Sequence, residues 1–422
     1  MNNRPVALDL FSGCGGMSLG LEAAGFDIAA SVEIDPVHSL VHHYNFPYGV
    51  TLCRDISEIS SQDLMKAIAG YGFKSDIDLI AGGPPCQGFS HMGKRQLDDP
   101  RNRLVFEYVR IVLEIQPKYF IFENVPGIVT GNHRHFLTEL IALFEENNYS
   151  LVKPIQVLDA AAYGAPQKRK RLILIGYRND VTKPTYPIPT HSSNGKVECD
   201  LQPLNTVGAA ISDLCKIPVF IGRDRGIYAE QLDYSKFRSS FDVEQQEHYS
   251  LCHKRTNKNI VWGHLGSRHT AKTIQRFTQT IPGKVEKVSR FLKLSPDGLS
   301  NTLRAGTARN KGAHTAPRPI HYQMPRCISV REAARLHTFP DWFEFHRTIW
   351  HGFREIGNAV IPLLAKSLGS SIINCLDINL SSLEIRELET INDAILKYNL
   401  GQAADYWRVS RDVIPKRNRL KT

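Results

Sequence analysis

Short apolar runs alternate with helix-forming stretches along the first 180 residues, and this alternation limits the possible folds more than any other feature. The runs VALDLF, IAASVE, DLIAGG and YFIFEN are each followed by a helical pattern. Parallel strands joined by crossover helices produce such an order. The sequence therefore predicts an α/β fold with a Rossmann-like sheet. Helices are expected from Met17, from Pro36, and over 101–115 and 133–147.

The chain changes character after this region. The runs SLVKPIQVLD and RLILIGY follow with only a loop between them, so we expect them to pair as an antiparallel edge. Basic and polar loops then dominate until helical patterns return at VREAARLHTF and AVIPLLAKSLGSSII, and a charged tail ends in PKRNRLKT. We expect a sheet domain over 1–185, a smaller irregular domain over 186–350, and a segment over 351–422 that returns to the first domain and ends in a basic helical tail.

Composition excludes several classes of protein. With 422 residues, 42% of them hydrophobic, the chain can bury a full core. No secretion signal is visible, and no apolar run approaches the roughly 18 residues of a membrane span, so we expect a cytoplasmic protein. The eight cysteines lack metal-binding spacing, so reduced thiols and no metal site are expected. A formal net charge of +10 favours a polyanionic partner.

The segment LDLFSGCGGMSLGLEAAGF has the features of a nucleoside-binding turn. It places Phe11 at a strand end and Gly13 and Gly15 in a turn before a helix. Such glycines let the backbone approach a ligand, and the helix N-terminus favours a negative group. Glu33 ends the next strand, where an acid commonly binds ribose hydroxyls. Asp55 lies further on in the segment CRDIS, where it can accept from an adenine amino group. The turn alone does not distinguish a dinucleotide from S-adenosylmethionine.

Cys86 lies in the segment GGPPCQGFS, directly after the apolar run DLIA. Most free cysteines are small buried hydrophobes, which is one interpretation of this residue. The other is a nucleophile, because two prolines fix the backbone and a helix N-terminus would favour the thiolate. Glu123 in FENV has two interpretations as well: a structural acid at a strand end, or a partner of the cysteine in catalysis.

Six motifs in a fixed order make the chain resemble the DNA (cytosine-5) methyltransferases of bacterial restriction-modification type: DLFSGCGG, PPCQGFS, FENV, QKRKR, REAARLHTFP and GNAVIP. The resemblance covers residues 5–180 and 326–375. It implies methyl transfer from S-adenosylmethionine to a cytosine flipped out of a specific duplex DNA sequence. The first domain would then be catalytic and cofactor-binding, and 186–350 the target-recognition domain. A cognate restriction endonuclease and a monomeric state are further expectations.

The resemblance also implies roles for individual residues. Carbon 5 of cytosine is too poor a nucleophile to attack a sulfonium methyl, so the Cys86 thiolate first adds at carbon 6, and Glu123 supplies a proton or hydrogen bond at ring nitrogen 3. Arg171 is expected near the cytosine carbonyl and Glu123, and Arg169, two residues away on the same face, helps to hold the sugar-phosphate. The expected cofactor-binding residues are Phe11, Gly13, Gly15, Glu33, Ile34, Asp55, Ile56, Leu104, Asn358 and Val360.

Other residues receive supporting roles. Asn124 is expected to tie the cysteine loop to the sheet, and Gln167 to lie behind the site. In VREAARLHTFP, Arg331 and Arg335 share helical spacing with Ala334, and Leu336 is expected in the core. The best candidates for DNA contacts are SNTLRAGTARNKGAH and GHLGSRHTAKT, although most basic residues there are expected to be solvated.

Two alternatives stay open at this point. A tRNA cytosine-5 methyltransferase on the same scaffold would use the same cysteine and glutamate, but its recognition insert is short and the one here is long. A catalytically inactive DNA-binding module is the other alternative. The presence of Cys86, Glu123, Gly13, Gly15 and Glu33 argues against it.

Overall fold

The computed structural model describes residues 4–73, 76–85, 103–129, 133–192, 201–221, 227–228, 260–306, 318–376, 378 and 391–414. One mixed sheet dominates this part of the chain. Its strands are β1 (Val6–Leu10), β2 (Asp27–Glu33), β3 (Val50–Cys53), β4 (Leu79–Gly82), β5 (Tyr119–Asn124), β6 (Tyr149–Leu151), β7 (Gln156–Asp159) and β8 (Lys170–Arg178). The strand order is β3-β2-β1-β4-β5-β8-β6, and β7 also pairs with β8.

Helices cover both faces of the sheet and extend beyond it. They are α1 (Gly16–Ala24), α2 (Pro36–Asn45), α3 (Ser61–Gly70), α4 (Arg103–Ile115), α5 (His133–Glu145), α6 (Val207–Ile211), α7 (Ala271–Gln279), α8 (Val330–Leu336), α9 (Ile349–Asn358), α10 (Pro362–Ile373) and α11 (Leu400–Trp407). Two short pairs lie outside the main sheet: parallel β9 (His191–Ser192) with β10 (Gln202–Pro203), and antiparallel β11 (Ile227–Tyr228) with β12 (Ile260–Val261).

The predicted parallel half of the sheet is confirmed. Strand β1 pairs in parallel with β2 and β4, β2 with β3, and β4 with β5. All five strands therefore end at the same edge of the sheet, where open α/β sheets bind ligands. Sequence analysis missed α3, which begins after Ser60, whose hydroxyl accepts a hydrogen bond from the Asp63 amide at 3.1 Å.

The predicted antiparallel edge is confirmed, with β6 and β7 as the outer strands and β8 one strand further in. Strand β8 pairs antiparallel with β6 and β7, and also with β5. It therefore lies inside the sheet and not at its edge. Residues 172–175 of β8 are fully buried, as expected of a strand covered on both faces.

The C-terminal segment returns to the first helix, as predicted. Helix α10 packs along α1. Two glycines of α1 permit this close approach: a Cβ on Gly20 would collide with Ala365, and one on Gly16 would collide with the Val360 carbonyl. The apolar stretch Ile349–Ile373 has the length and composition of a membrane span, but it is 67% buried. Residues 359–361 divide it into α9 and α10, so it serves as core of the fold.

Helix α8 confirms the expected helical spacing and the buried position of Leu336. Its two arginines are also fully buried. Arg331 donates to the carbonyls of Trp262, Pro340 and Phe343, while Arg335 pairs with Asp213 and Asp341. The helix is thus a junction between distant parts of the chain.

Candidate functional site

The turn after β1 has the backbone that its glycines predict. Phe11, Gly13 and Gly15 have φ angles of 62°, 56° and 102°. Left-handed conformation is normal for glycine and uncommon for phenylalanine, so Phe11 marks a strained position at the strand end. A Cβ on Gly15 would also collide with the Phe46 ring. The turn is therefore held close to α2, with the N-terminus of α1 behind it.

Glu33 connects this turn to the start of α2. One carboxylate oxygen accepts from the Gly13 amide at 2.9 Å, and the other accepts from the Asp35 amide at 2.8 Å. Burial raises the pKa of the Glu33 carboxyl. Each carboxylate oxygen can accept a second hydrogen bond, so the residue can still bind paired hydroxyl groups. Ile34, directly beside it, is half-buried.

The remaining predicted cofactor residues of this half lie at the ends of β3 and α4. Asp55 is half-buried, and its Oδ1 accepts from the amide and the hydroxyl of Ser57 at 3.0 and 2.9 Å. The Ile56 side chain is buried in the core, so a ligand contact there would have to use its backbone. Leu104 and Phe11 are half-buried and pack against the same core.

The C-terminal pair of predicted residues comes to the same place. Asn358, the last residue of α9, is exposed, and Val360 is half-buried beside α1. Because the Val360 carbonyl lies against Gly16, the fold brings this pair to the glycine turn across more than 340 residues of sequence. The predicted cofactor residues therefore surround one region at the edge of the sheet.

Glu123 ends β5 beside the loop that follows β4. Its Oε1 lies 2.6 Å from Nε of Arg171, and both side chains are nearly buried. A Cβ on Gly83 would lie 2.9 Å from the other oxygen, Oε2. The carboxyl group is thus held between an arginine and the backbone that leads towards Cys86. The expected proximity of Arg171 and Glu123 is confirmed.

The loop itself is fixed by Asn124. The Asn124 side-chain amide donates to the Pro84 carbonyl at 3.1 Å, as expected from the sequence. Pro84 and Pro85 are the last described residues of this loop, and Cys86 lies outside the described residues.

The expected role of Arg169 needs correction. Its side chain is buried, and its guanidinium donates to the carbonyls of Leu303, Gly357 and Ala359 at 2.9 to 3.1 Å. Burial, reinforced by the charge of Arg171, lowers the pKa of Arg169 to about 9. Three of its five N–H donors bond to backbone carbonyls and the side chain is buried, so Arg169 ties the start of β8 to two later segments.

Gln167 lies behind the site, as predicted. It is fully buried, donates to the Leu336 carbonyl and accepts from the Leu303 amide. The backbone of 300–303 therefore runs beside 167–169, and it presents the exposed Arg304 next to this strand. The rest of this candidate segment, TARNKGAH at 307–314, lies outside the described residues.

The other candidate DNA segment divides into buried and exposed residues. His264 is fully buried and bonds to the Ile217 carbonyl and the Ser329 hydroxyl, so it is not available to DNA. Arg268 and Lys272 are exposed.

Sequence analysis missed a buried polar network beneath the glycine turn. Asp9 accepts from the amide and the hydroxyl of Ser18, and the same hydroxyl contacts His42 at 2.9 Å. The other ring nitrogen of His42 contacts Ser31 at 3.1 Å. Burial raises the pKa of Asp9 to about 7 and lowers that of His42 to about 3. The sequence signal for this network was an acidic residue, Asp9, inside the apolar run VALDL.

Comparisons with known proteins agree on one family. The profile of the family described as C-5 cytosine-specific DNA methylase matches residues 6–374. Type II methyltransferase M.XorII of Xanthomonas oryzae pv. oryzae is 45% identical, over 99% of this chain and 95% of its own length. Type II methyltransferase M1.HphI of Haemophilus parahaemolyticus is 33% identical, over 87% of this chain and 86% of its own.

Solved structures are similar as well. The crystal structure of a prophage-encoded DNA modification methyltransferase of E. coli has a TM-score of 0.68 and 31% identity, covering 89% of this chain and all of that one. The S. pombe Dnmt2 methyltransferase, at a TM-score of 0.54 and 17% identity over 89% of this chain and all of its own, is similar in fold.

Proposed function

Because the chain belongs to the family of C-5 cytosine-specific DNA methylases and is therefore a DNA cytosine-5 methyltransferase, we propose that its methyl donor is S-adenosylmethionine and that Cys86, Glu123 and Arg171 carry the reaction. The observation that supports these roles best is the position of the Glu123 carboxyl between Arg171 and the backbone of the PPCQ loop. The tRNA-modifying and inactive alternatives are not favoured.

The residues around the glycine turn fit the proposed donor. When bound, S-adenosylmethionine supplies an electrophilic methyl group on its sulfonium sulfur. Glu33 would accept hydrogen bonds from the ribose hydroxyls, because each carboxylate oxygen keeps a free acceptor position beyond its backbone bond. Asp55 Oδ2 would accept from the adenine amino group, since Oδ1 serves the Ser57 bonds. Asn358 and the backbone at Val360 would close the site from the C-terminal side.

Cys86 is proposed as the nucleophile. Its thiolate would add to carbon 6 of the flipped cytosine, which makes carbon 5 nucleophilic enough to take the methyl group. The proton on carbon 5 must then leave before the bond between the Cys86 sulfur and carbon 6 can break. The two prolines and the Asn124–Pro84 bond support this role, because a loop fixed before the substrate arrives contributes to rate through preorganisation.

Glu123 is proposed to hydrogen-bond or protonate ring nitrogen 3 as charge develops there. Its second oxygen, on the side of Gly83, is the one available for that contact, because Arg171 occupies the first. Arg171 would keep the carboxyl in place and extend towards the cytosine carbonyl. Arg169 is proposed as a positioning residue that holds the start of β8, and not as a DNA contact.

The long basic insert is proposed to bind and select the DNA. Exposed Arg268, Lys272 and Arg304 would meet phosphates, while polar side chains of the insert would read base edges. We also propose that the enzyme is a cytosolic monomer that protects the site of a cognate restriction endonuclease, since its curated relatives are named type II methyltransferases.

The nucleophile is tested with duplex DNA that carries 5-fluorocytosine at the mapped target. A fluorine on carbon 5 cannot leave as a cation, so wild-type enzyme with S-adenosylmethionine is expected to remain covalently attached and to shift on a denaturing gel. Cys86→Ser is expected to form no such adduct and to have negligible turnover while still binding DNA, because a serine hydroxyl is scarcely ionised at neutral pH. Absence of the shifted band with wild type, or its persistence with Cys86→Ser, would exclude Cys86.

A further inference from the structure

The last described segment of the chain packs on α2, which starts three positions after the proposed ribose-binding residue Glu33. We call residues 391–414 the C-terminal strap; it contains a 3-10 helix, Asp393–Lys397, and α11. Leu396 and Ala403 of the strap are fully buried in a cluster with apolar residues of α2, and Ala404 is fully buried as well. The strap is therefore an integral part of the fold, although none of the six motifs reaches it.

Trp407 makes the contact closest to the cofactor region. Its indole N–H donates to the Pro36 carbonyl at 3.2 Å, and its ring packs edge-on against His43 at 5.6 Å between centroids. Pro36 is the first residue of α2, and Asp35 caps the helix by accepting from the Val37 amide. The indole thus holds the first turn of α2 from outside.

The same turn also holds the Glu33 carboxylate. The Asp35 amide donates to Glu33 Oε1 at 2.8 Å, one residue before the carbonyl that Trp407 binds. A displacement of the first turn therefore moves a donor that orients Glu33. The far end of α2 is fixed separately: Tyr44 and Asn45 bond to Glu344.

A second attachment fixes the strap itself. The Arg347 amide donates to the Leu396 carbonyl at 2.8 Å, and the His346 ring contacts the Tyr398 carbonyl at 3.0 Å. Helix α11 begins with a capping box in which Asn399 and Gln402 bond to each other's backbone amides. With its start and its end both fixed, the strap can transmit a constraint to α2.

We propose that Trp407 is a positioning residue for the cofactor site, acting through the first turn of α2 on Glu33. The proposal rests on the proposed role of Glu33 in binding S-adenosylmethionine. It assigns to the C-terminal strap a contribution to cofactor affinity that is separate from DNA binding and from the chemical step.

The test uses the full-length protein with S-adenosylmethionine titrated by calorimetry. Trp407→Phe keeps an aromatic ring but removes the N–H donor together with part of the indole surface, and we expect the dissociation constant to rise about threefold, the effect of one weak hydrogen bond. Trp407→Ala is expected to raise it about tenfold. At saturating cofactor, kcat and the affinity for target duplex should stay within about twofold of wild type. Arg411→Ala, which removes an exposed strap side chain that pairs with Asp405, is the control and should leave cofactor affinity unchanged.

A double-mutant cycle separates positioning from general destabilisation. If Trp407 acts through Glu33, the effect of Trp407→Phe should shrink in a Glu33→Gln background, because coupled residues are non-additive. Unchanged affinity in Trp407→Phe, or fully additive effects in the cycle, would overturn the inference while leaving the proposed cofactor site intact. Unchanged affinity in Glu33→Ala would remove the proposed role of Glu33 and the inference with it.

Discussion

At the scale of single residues, the two oxygens of Glu123 have different surroundings. Arg171 binds one of them at 2.6 Å, and the backbone at Gly83 lies against the other. The pair joins neighbouring strands, because Glu123 ends β5 and Arg171 lies near the start of antiparallel β8. Strand pairing thus brings an acidic and a basic side chain, 48 positions apart in sequence, into direct contact.

This geometry predicts a graded loss of activity. Glu123→Gln should lower kcat by at least about 100-fold, since a general acid or base contributes that much, while DNA binding persists. Arg171→Lys should lower kcat by about tenfold, because an ammonium cannot reproduce the planar guanidinium contact. Lys170→Ala, an exposed neighbour on the other face of β8, should retain full activity. The activity of all three variants is measured as single-turnover transfer of a tritiated methyl group. A fully active Glu123→Gln enzyme would refute the proposed role of Glu123.

At the scale of elements, α8 is fixed by buried charges. Glu332 closes a capping box with Ser329 and accepts two hydrogen bonds from Arg326, at 2.7 and 2.8 Å. Burial alone would raise the pKa of Glu332, but the hydrogen bonds and charge of Arg326 outweigh it and lower the pKa to about 2. The helix therefore depends on an ionised carboxylate in the protein interior.

The lowered pKa predicts how stability changes with pH. A carboxyl group with a folded-state pKa of about 2 contributes its full stability above its ordinary value of 4.5, and the contribution disappears as pH falls towards 2. Glu332→Gln leaves the largely covered Arg326 without its charge partner, which should cost about 3 kcal/mol at pH 7. Thermal melts should show the gap between wild type and Glu332→Gln narrowing from pH 5 to pH 3. Ser329→Ala removes the cap hydroxyl and its contact with His264 and leaves Glu332 charged, so its cost of about 1 kcal/mol or more should be the same at both pH values. A gap for Glu332→Gln that stays constant with pH would contradict the prediction.

At the scale of the whole molecule, one apolar cluster joins the start, middle and end of the chain. It combines residues of α1 and α2 with α6, α8, α9 and the strap. Within 186–350, Arg347 stacks over the Trp262 ring at 3.7 Å, and Glu344 of the same segment bonds to Tyr44 and Asn45 of α2. The segment 186–350, which is expected from sequence to recognise DNA, includes α6 and α8. Its exchange would therefore replace both helices and disrupt their packing against the rest of this cluster.

This packing defines a better exchange experiment. We expect that replacing 217–327 with the corresponding segment of a relative of different specificity transfers the methylated sequence, because α6, the turn after it and α8 stay with the host. Exchange of 186–350 should yield far less folded protein, since it would replace α6, α8 and Glu344, which pack against or bond to α1, α2 and α9 of the host. Mapping modified cytosines in a host without other methylation measures the result. A 217–327 chimera that folds and still methylates the original sequence would place recognition elsewhere.

The sequence by itself determined the parallel half of the sheet, the glycine turn and the residues at its edge. Local rules suffice there: strand and helix periods are read over a few residues, and parallel strands with crossover helices must end at one edge. That is why local pattern alone was enough to propose Glu33 and Asp55, whereas the role of Glu123 was proposed from the resemblance. Motif order, in turn, was sufficient to indicate the family that the comparisons identify.

Only the tertiary structure decided which polar groups face the site and which face the protein. Arg169 and Arg171 are indistinguishable by spacing, yet Arg169 is covered by three carbonyls from residues 303, 357 and 359, while Arg171 reaches Glu123. The inner position of β8 and the Trp407 contact to α2 likewise depend on partners far away in sequence. Local patterns carry no information about such partners, because burial and hydrogen bonding are settled only when distant segments pack together.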